Sequence, residues 1–99
     1  MKRAYVEIEE GQMHYRCAGA GEPIILLHMS GSSSDEFERA GDLLANKYAV
    51  YALDLLAFGS SDKPPRVYTL KEHAVTVIEF MDCLGVKAAY FVGNLVGAN

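Results

Sequence analysis

Four consecutive aliphatic residues, Ile24-Ile25-Leu26-Leu27, restrict the possible folds of this chain more than any other feature. A strand with one wet face alternates apolar and polar side chains. A strand that is apolar at every position must be covered on both faces. Tyr48-Ala49-Val50-Tyr51-Ala52-Leu53, ending at Asp54, and Ala88-Ala89-Tyr90-Phe91-Val92 have the same character. Helical patterns separate these runs. Ser33 and Glu36 fit a capping box, followed by an apolar stripe of Phe37, Ala40, Leu43 and Leu44. Gly41 weakens that helix by roughly 1 kcal/mol relative to alanine. Thr69 and Glu72 form a second box. The helix it opens carries Ala74, Val77, Ile78, Met81 and Leu84 on one face, with Gly85 at its C-cap.

The first residues follow a different rule. Ala4, Val6 and Ile8 alternate with polar neighbours, and after the turn at Glu10-Gly11 so do Met13, Tyr15 and Cys17, with His14 and Arg16 between them. Two period-2 segments joined by a glycine turn predict an antiparallel hairpin. The order is hairpin, strand, helix, strand, helix, strand. It specifies the α/β class: a three-layer α/β/α arrangement with a mostly parallel sheet, right-handed crossovers and an N-terminal antiparallel hairpin.

At 99 residues the chain is at most one small domain, and with 51% hydrophobic and 22% charged residues it has a globular composition. Its net charge of −4 and lack of a basic stripe argue against nucleic acid or an anionic membrane as partner. Glu7, Glu9 and Glu10 interrupt any secretory h-region, and no run approaches the length of a membrane span, so a cytoplasmic protein is expected. Cys17 and Cys83 match no CxxC pattern and are expected as reduced, half-buried thiols, with a disulfide as the minor alternative. No His/Cys spacing suggests a metal site.

Three segments together resemble the α/β-hydrolase superfamily. Ile24 to His28, followed by a small-residue loop, is similar to its strand and oxyanion loop. Asp54-Leu55-Leu56-Ala57-Phe58-Gly59-Ser60-Ser61-Asp62-Lys63-Pro64 is similar to its D-x-x-G-F-G-x-S-D-x-P stretch. Phe91-Val92-Gly93-Asn94-Leu95-Val96-Gly97-Ala98 has the frame of its G-x-S-x-G nucleophile elbow. The stretch His28 to Phe37 also looks like an H-x-S-x-x-S-S-x-E-F branch that is not uniformly serine-dependent.

The resemblance implies hydrolysis of an ester or similar bond in a small molecule, without cofactor or metal. It places the oxyanion donors on the backbone of Ser30 and Val96, with Met29 as the alternative to Ser30, and His28 beside the substrate. Gly93 and Gly97 supply the small residues that the elbow requires. The nucleophile position holds Leu95, which has no lone pair and no acidic proton, so serine or aspartate chemistry there is excluded. Met29 and Ala57 depart from the family's glycines. In this family the acid and histidine follow the nucleophile along the chain, and no such pair follows Leu95.

The expectation is therefore the N-terminal part, residues 1–99, of one hydrolase domain, truncated after the elbow, inactive alone, with the missing C-terminal half or a homo-oligomer as partner. A non-catalytic, hydrolase-like small-molecule binding protein is the main alternative. A phosphate-binding doubly wound module, using the Ser30–Ser34 loop, is a lesser one because no GxGxxG or Walker pattern follows the strand. His14 and His73 read as structural or solvated. Asp54 reads as ordering its following loop, and Glu7, Glu9 and Glu10 as a solvated rim.

Overall fold

In the computed structural model, residues 1–28 and 33–93 are described. Strands β1 (Lys2–Ile8) and β2 (Gly11–Ala18) form the expected hairpin, with Lys2 opposite Cys17 and Ile8 opposite Gly11. Gly11 has φ of 145°, and a Cβ there would run into the Asp62 side chain. The turn can therefore close against the later loop only with glycine.

Next come β3 (Glu22–Leu27), a 3₁₀ turn (Ser34–Phe37), helix α1 (Glu38–Leu44), β4 (Tyr48–Leu53), helix α2 (Leu70–Leu84) and β5 (Tyr90–Gly93). The sheet order is β1-β2-β4-β3-β5. The hairpin joins antiparallel to β4 through β2. Strands β4 and β5 flank β3 in parallel, with Leu26 beside Ala52 and Val92.

Alternation along the continuous apolar strands builds the two cores. Ile24, Leu26, Val50 and Ala52 face one way and pack with Met1, Phe37 and Leu44. Ile25, Leu27 and Leu53 face the other way and join Ile8, Met13, Tyr15, Val77 and Phe80 beneath α2. The predicted three-layer α/β arrangement follows directly. The Met1 ammonium donates to Glu38 (2.8 Å) and Asp42 (3.1 Å), and the Met1 side chain fills the space where a Cβ on residue 41 would lie. Gly41 thus gives up helix propensity for a close contact.

Three local expectations change. Ser33 accepts from the Asp35 N–H and caps a 3₁₀ turn, where a capping box onto a single longer helix was expected. The buried side of α2 is His73, Thr76, Val77 and Phe80, one residue round from the predicted stripe. Phe80 pulls the helix into this rotation by sitting edge-on to Tyr15 (5.0 Å) and Tyr51 (5.9 Å), which leaves Ile78 57% exposed. Cys17 is half-buried as expected, but Cys83 is exposed, and both thiols are free. The Thr69–Glu72 capping box and the left-handed Gly85 cap (φ 71°) form as predicted.

All four residues of β5 are exposed, and a groove of about 310 Å³ runs beside it, lined by Leu27, His73, Ala74, Val77, Ile78 and Phe91. Among the described residues, no helix is long and apolar enough to cross a membrane. Phe80 is fully buried between two tyrosines, so Phe80→Ala should cost about 3–5 kcal/mol by urea denaturation. Val67→Ala, at a 90% exposed position, should change stability by less than about 0.5 kcal/mol.

Candidate functional site

The connections leaving β3 and β4 run to helices on opposite faces of the sheet, and in an open α/β sheet the carboxyl ends of two such strands are where a ligand is expected to bind. His28 and Asp54 are the first residues past those ends, and both are buried. Gly93 ends β5 alongside Leu27. A Cβ at Gly93 would overlap the Leu27 carbonyl oxygen, so the backbone there approaches as closely as only glycine allows.

Among the described residues, Asp54 is the most heavily hydrogen-bonded side chain at this end of the sheet. Its Oδ1 accepts from the Ser34 N–H (2.5 Å), and its Oδ2 accepts from His14 Nδ1–H (2.8 Å) and the Ser60 N–H (2.9 Å). Its own N–H donates to the His14 carbonyl, and its carbonyl accepts from Ser61 Oγ, which in turn accepts from the His14 N–H. Burial alone would push this carboxyl up. The N–H groups of Ser34 and Ser60, the Ser34 hydroxyl and His14 together hold it below its ordinary value.

The histidine tautomers follow from their partners. Arg3 Nε donates to His14 Nε2 (3.2 Å), so the His14 hydrogen sits on Nδ1 and points at Asp54. His28 Nε2 accepts from the Leu55 N–H (3.0 Å), and its ring lies edge-on to Phe58 (5.3 Å). His73 is buried, stacks on Tyr68 (5.2 Å), and leaves Nδ1 without a hydrogen-bond partner among the described residues. Burial, and secondarily the proximity of His28, push its imidazole below the ordinary value.

The sequence-derived site maps onto this end of the sheet unevenly. His28 directly follows β3 and is fully buried. Met29, Ser30, Leu95 and Val96 lie outside the described residues. Asp54 does order its loop, as the sequence reading expected, and His14 and His73 are structural. Sequence reasoning missed His14 as the partner of Asp54. Glu10 also departs from a purely solvated rim: it accepts from Arg66 Nη1 (2.8 Å) and the Tyr68 hydroxyl (2.8 Å), fastening the hairpin turn to the segment before α2. No group of His, Cys, Asp and Glu that could hold a metal occurs among the described residues.

Ala57 explains one departure from the family pattern. It has φ of 77° and is the one non-glycine residue in the left-handed region among those described. A side chain there costs about 1–2 kcal/mol, against roughly 0.5–1 kcal/mol of chain entropy lost by glycine. Ala57→Gly should therefore raise unfolding free energy by about 0.5–1 kcal/mol in urea.

His73 gives a pH prediction. Its folded value is depressed, so its contribution to stability is complete above the unfolded value of 6.5 and shrinks as pH falls through the folded value. Urea midpoints should fall below pH 6.5, and His73→Phe should flatten that limb. The Asp54 contribution is lost only at lower pH, below its ordinary 3.8.

Comparison with known proteins places this geometry. The model of the family described as alpha/beta hydrolase fold matches residues 22–98. The soluble epoxide hydrolase of Corynebacterium sp. (strain C12) is 34% identical over 83 residues, covering 84% of this chain and 29% of that protein. Haloalkane dehalogenase 2 of Mycobacterium tuberculosis (strain CDC 1551 / Oshkosh) is 32% identical over 91 residues, covering 91% of this chain and 32% of that protein. The crystal structure of a membrane phospholipase A described as a bacterial virulence factor superposes with a TM-score of 0.89 at 29% identity. It covers 93% of this chain and 31% of that one. The chain thus spans about a third or less of the length of these relatives.

Proposed function

This chain belongs to the alpha/beta hydrolase family, and we propose that it forms the oxyanion side of a centre that hydrolyses an ester or similar bond in a small molecule. The observation that carries the reading is the pair of buried, hydrogen-bonded groups just past the ends of β3 and β4. There, two buried groups, His28 and Asp54, fix the backbone on either side of the loop expected to hold the oxyanion donor. Relatives named as an epoxide hydrolase and a haloalkane dehalogenase support a hydrolytic reaction class.

In this reading the backbone N–H groups of Ser30 and Val96 stabilise the developing oxyanion, with Met29 as the alternative to Ser30. Such donors are worth several kcal/mol because they need no reorganisation during the reaction. Both are backbone groups, so the substitutions around them leave the role intact provided that the loop keeps its shape. His28 contributes a wall beside the substrate. The reaction needs no cofactor or metal.

Leu95 cannot attack the substrate, and none of the residues after it is an acid or a histidine. Turnover would therefore need a nucleophile at a position other than Leu95, with an acid and a base to activate it. The exposed β5 edge and the groove beside it are the surface that polypeptide supplying these groups would cover. A non-catalytic binding role is the second reading. It is favoured by the same Leu95 together with that groove, whose lining is aliphatic and aromatic apart from His73.

Hydrolysis of p-nitrophenyl acetate by the purified 99-residue chain should not rise above the rate given by its Val96→Pro variant, which lacks the donor N–H. Turnover that the proline abolishes would show that the chain is active alone and would sink the inactivity proposal. Saturable retention of a short-chain ester without turnover would favour the binding reading.

A further inference from the structure

The connection from β3 to the 3₁₀ turn is fastened at both ends to two successive residues of another strand's exit. At one end His28 Nε2 accepts the Leu55 N–H (3.0 Å). At the other the Ser34 N–H donates to Asp54 Oδ1 (2.5 Å). Asp54 and Leu55 immediately follow β4, the strand beside β3 in the sheet. Loops anchored only by their flanking elements can adopt many shapes; this one has its entry and exit referred to a single dipeptide in the core.

That reference is only as fixed as the Asp54 side chain. A carboxylate turns about two bonds, and its orientation is set by whichever donors face it. Oδ2 takes the Ser60 N–H from its own loop and His14 Nδ1–H from β2, across the sheet. His14 is itself fully buried and held by further contacts besides the Asp54 N–H on its carbonyl. Arg3 Nε donates to its Nε2, Ser61 Oγ accepts from its N–H, and the Tyr5 ring meets it edge-on at 5.1 Å. Among the described residues it is thus the one donor to the Asp54 carboxylate that comes from outside the two loops being joined. Arg16 supports the far end by donating from Nε to Ser34 Oγ (3.1 Å).

We infer that His14 and Asp54 are a positioning pair for the start of the 3₁₀ turn: His14 orients the carboxylate, which fixes Ser34, at the far end of the stretch proposed to carry the oxyanion donor Ser30. Neither side chain touches substrate. The purpose assigned to the loop rests on the hydrolase reading above, but the mechanical claim does not.

Amide hydrogen exchange on the full chain separates the two. His14→Leu should speed exchange at Ser34 by about tenfold or more while amides in the centre of β3 and β4, such as Leu26 and Val50, change by less than about threefold. His14→Asn, whose side-chain amide N–H can replace Nδ1–H, should restore most of the Ser34 protection. Phe80→Leu, which lowers global stability without touching the pair, serves as the control. Equal acceleration everywhere in His14→Leu, as in the control, would overturn the inference, as would unchanged exchange at Ser34 or no rescue by asparagine. If His14→Leu fails to fold, His14→Asn and His14→Gln still decide it, because only the asparagine places its amide near Nδ1. Selective loss at Ser34 with asparagine rescue would stand even if no ester is ever turned over. Conversely, hydrolysis by a completed protein would stand even if exchange showed no selectivity.

Discussion

A single buried charge organises the end of the sheet where ligands bind in folds of this kind. An ionised carboxylate without partners in a protein interior is costly enough that it normally takes up a proton. Asp54 stays below its ordinary value because donors surround it, and those donors lie far apart in sequence: His14 in β2, Ser34 at the start of the 3₁₀ turn, Ser60 in the loop after β4. Satisfying the charge therefore requires three segments to converge. Gly59 belongs to the same constraint, since a Cβ there would overlap the carboxylate. Ser60 donates its backbone N–H to the carboxylate, while the Ser61 hydroxyl donates to the Asp54 backbone carbonyl.

Much of this was legible in the sequence, for reasons that differ by element. The hairpin and the buried strands are periodic signals, and periodicity survives because the core must be filled from both sides. The buried face of α2 was less legible. Its sequence offers apolar residues at adjacent positions round the helix, and the stripe 74, 77, 78, 81 competes with 73, 76, 77, 80. The second prevails because a phenylalanine buries more area than an isoleucine and meets two tyrosines that the sequence places on other strands. Helix periodicity alone carries no information about those distant rings.

The site divides along the same line. Asp54 and His28 could be recognised because each directly follows an apolar strand. His14 could not, because β2 alternates and its polar face reads as solvated. His14 is dry because the loop after β4 folds over it, bringing Ser61 and Asp54 onto the strand. Its burial is a property of the tertiary contact and leaves no periodic trace. Ala57 and Gly93 mark the opposite case, in which a short motif encodes a steric fact. The family's glycine at the first position matches a left-handed backbone that alanine here occupies at a cost, and Gly93 marks a strand lying against the Leu27 carbonyl.

These constraints also show why fold and activity can separate in such a chain. Everything that holds this end of the sheet together acts during folding: the Asp54 donors, the close approach at Gly93 and the two cores on either side of β3. Losing any of them lowers stability, so they persist while the domain must fold. The proposed oxyanion donors are backbone N–H groups, and they persist with the loop that displays them. A nucleophile is different, because its side chain does nothing for stability and usually sits in a strained turn. In the proposed reading, leucine at that position removes the chemistry without touching the Asp54 donors or the two cores. A preserved frame is therefore strong support for family membership and weak support for catalysis, and the two questions need separate measurements.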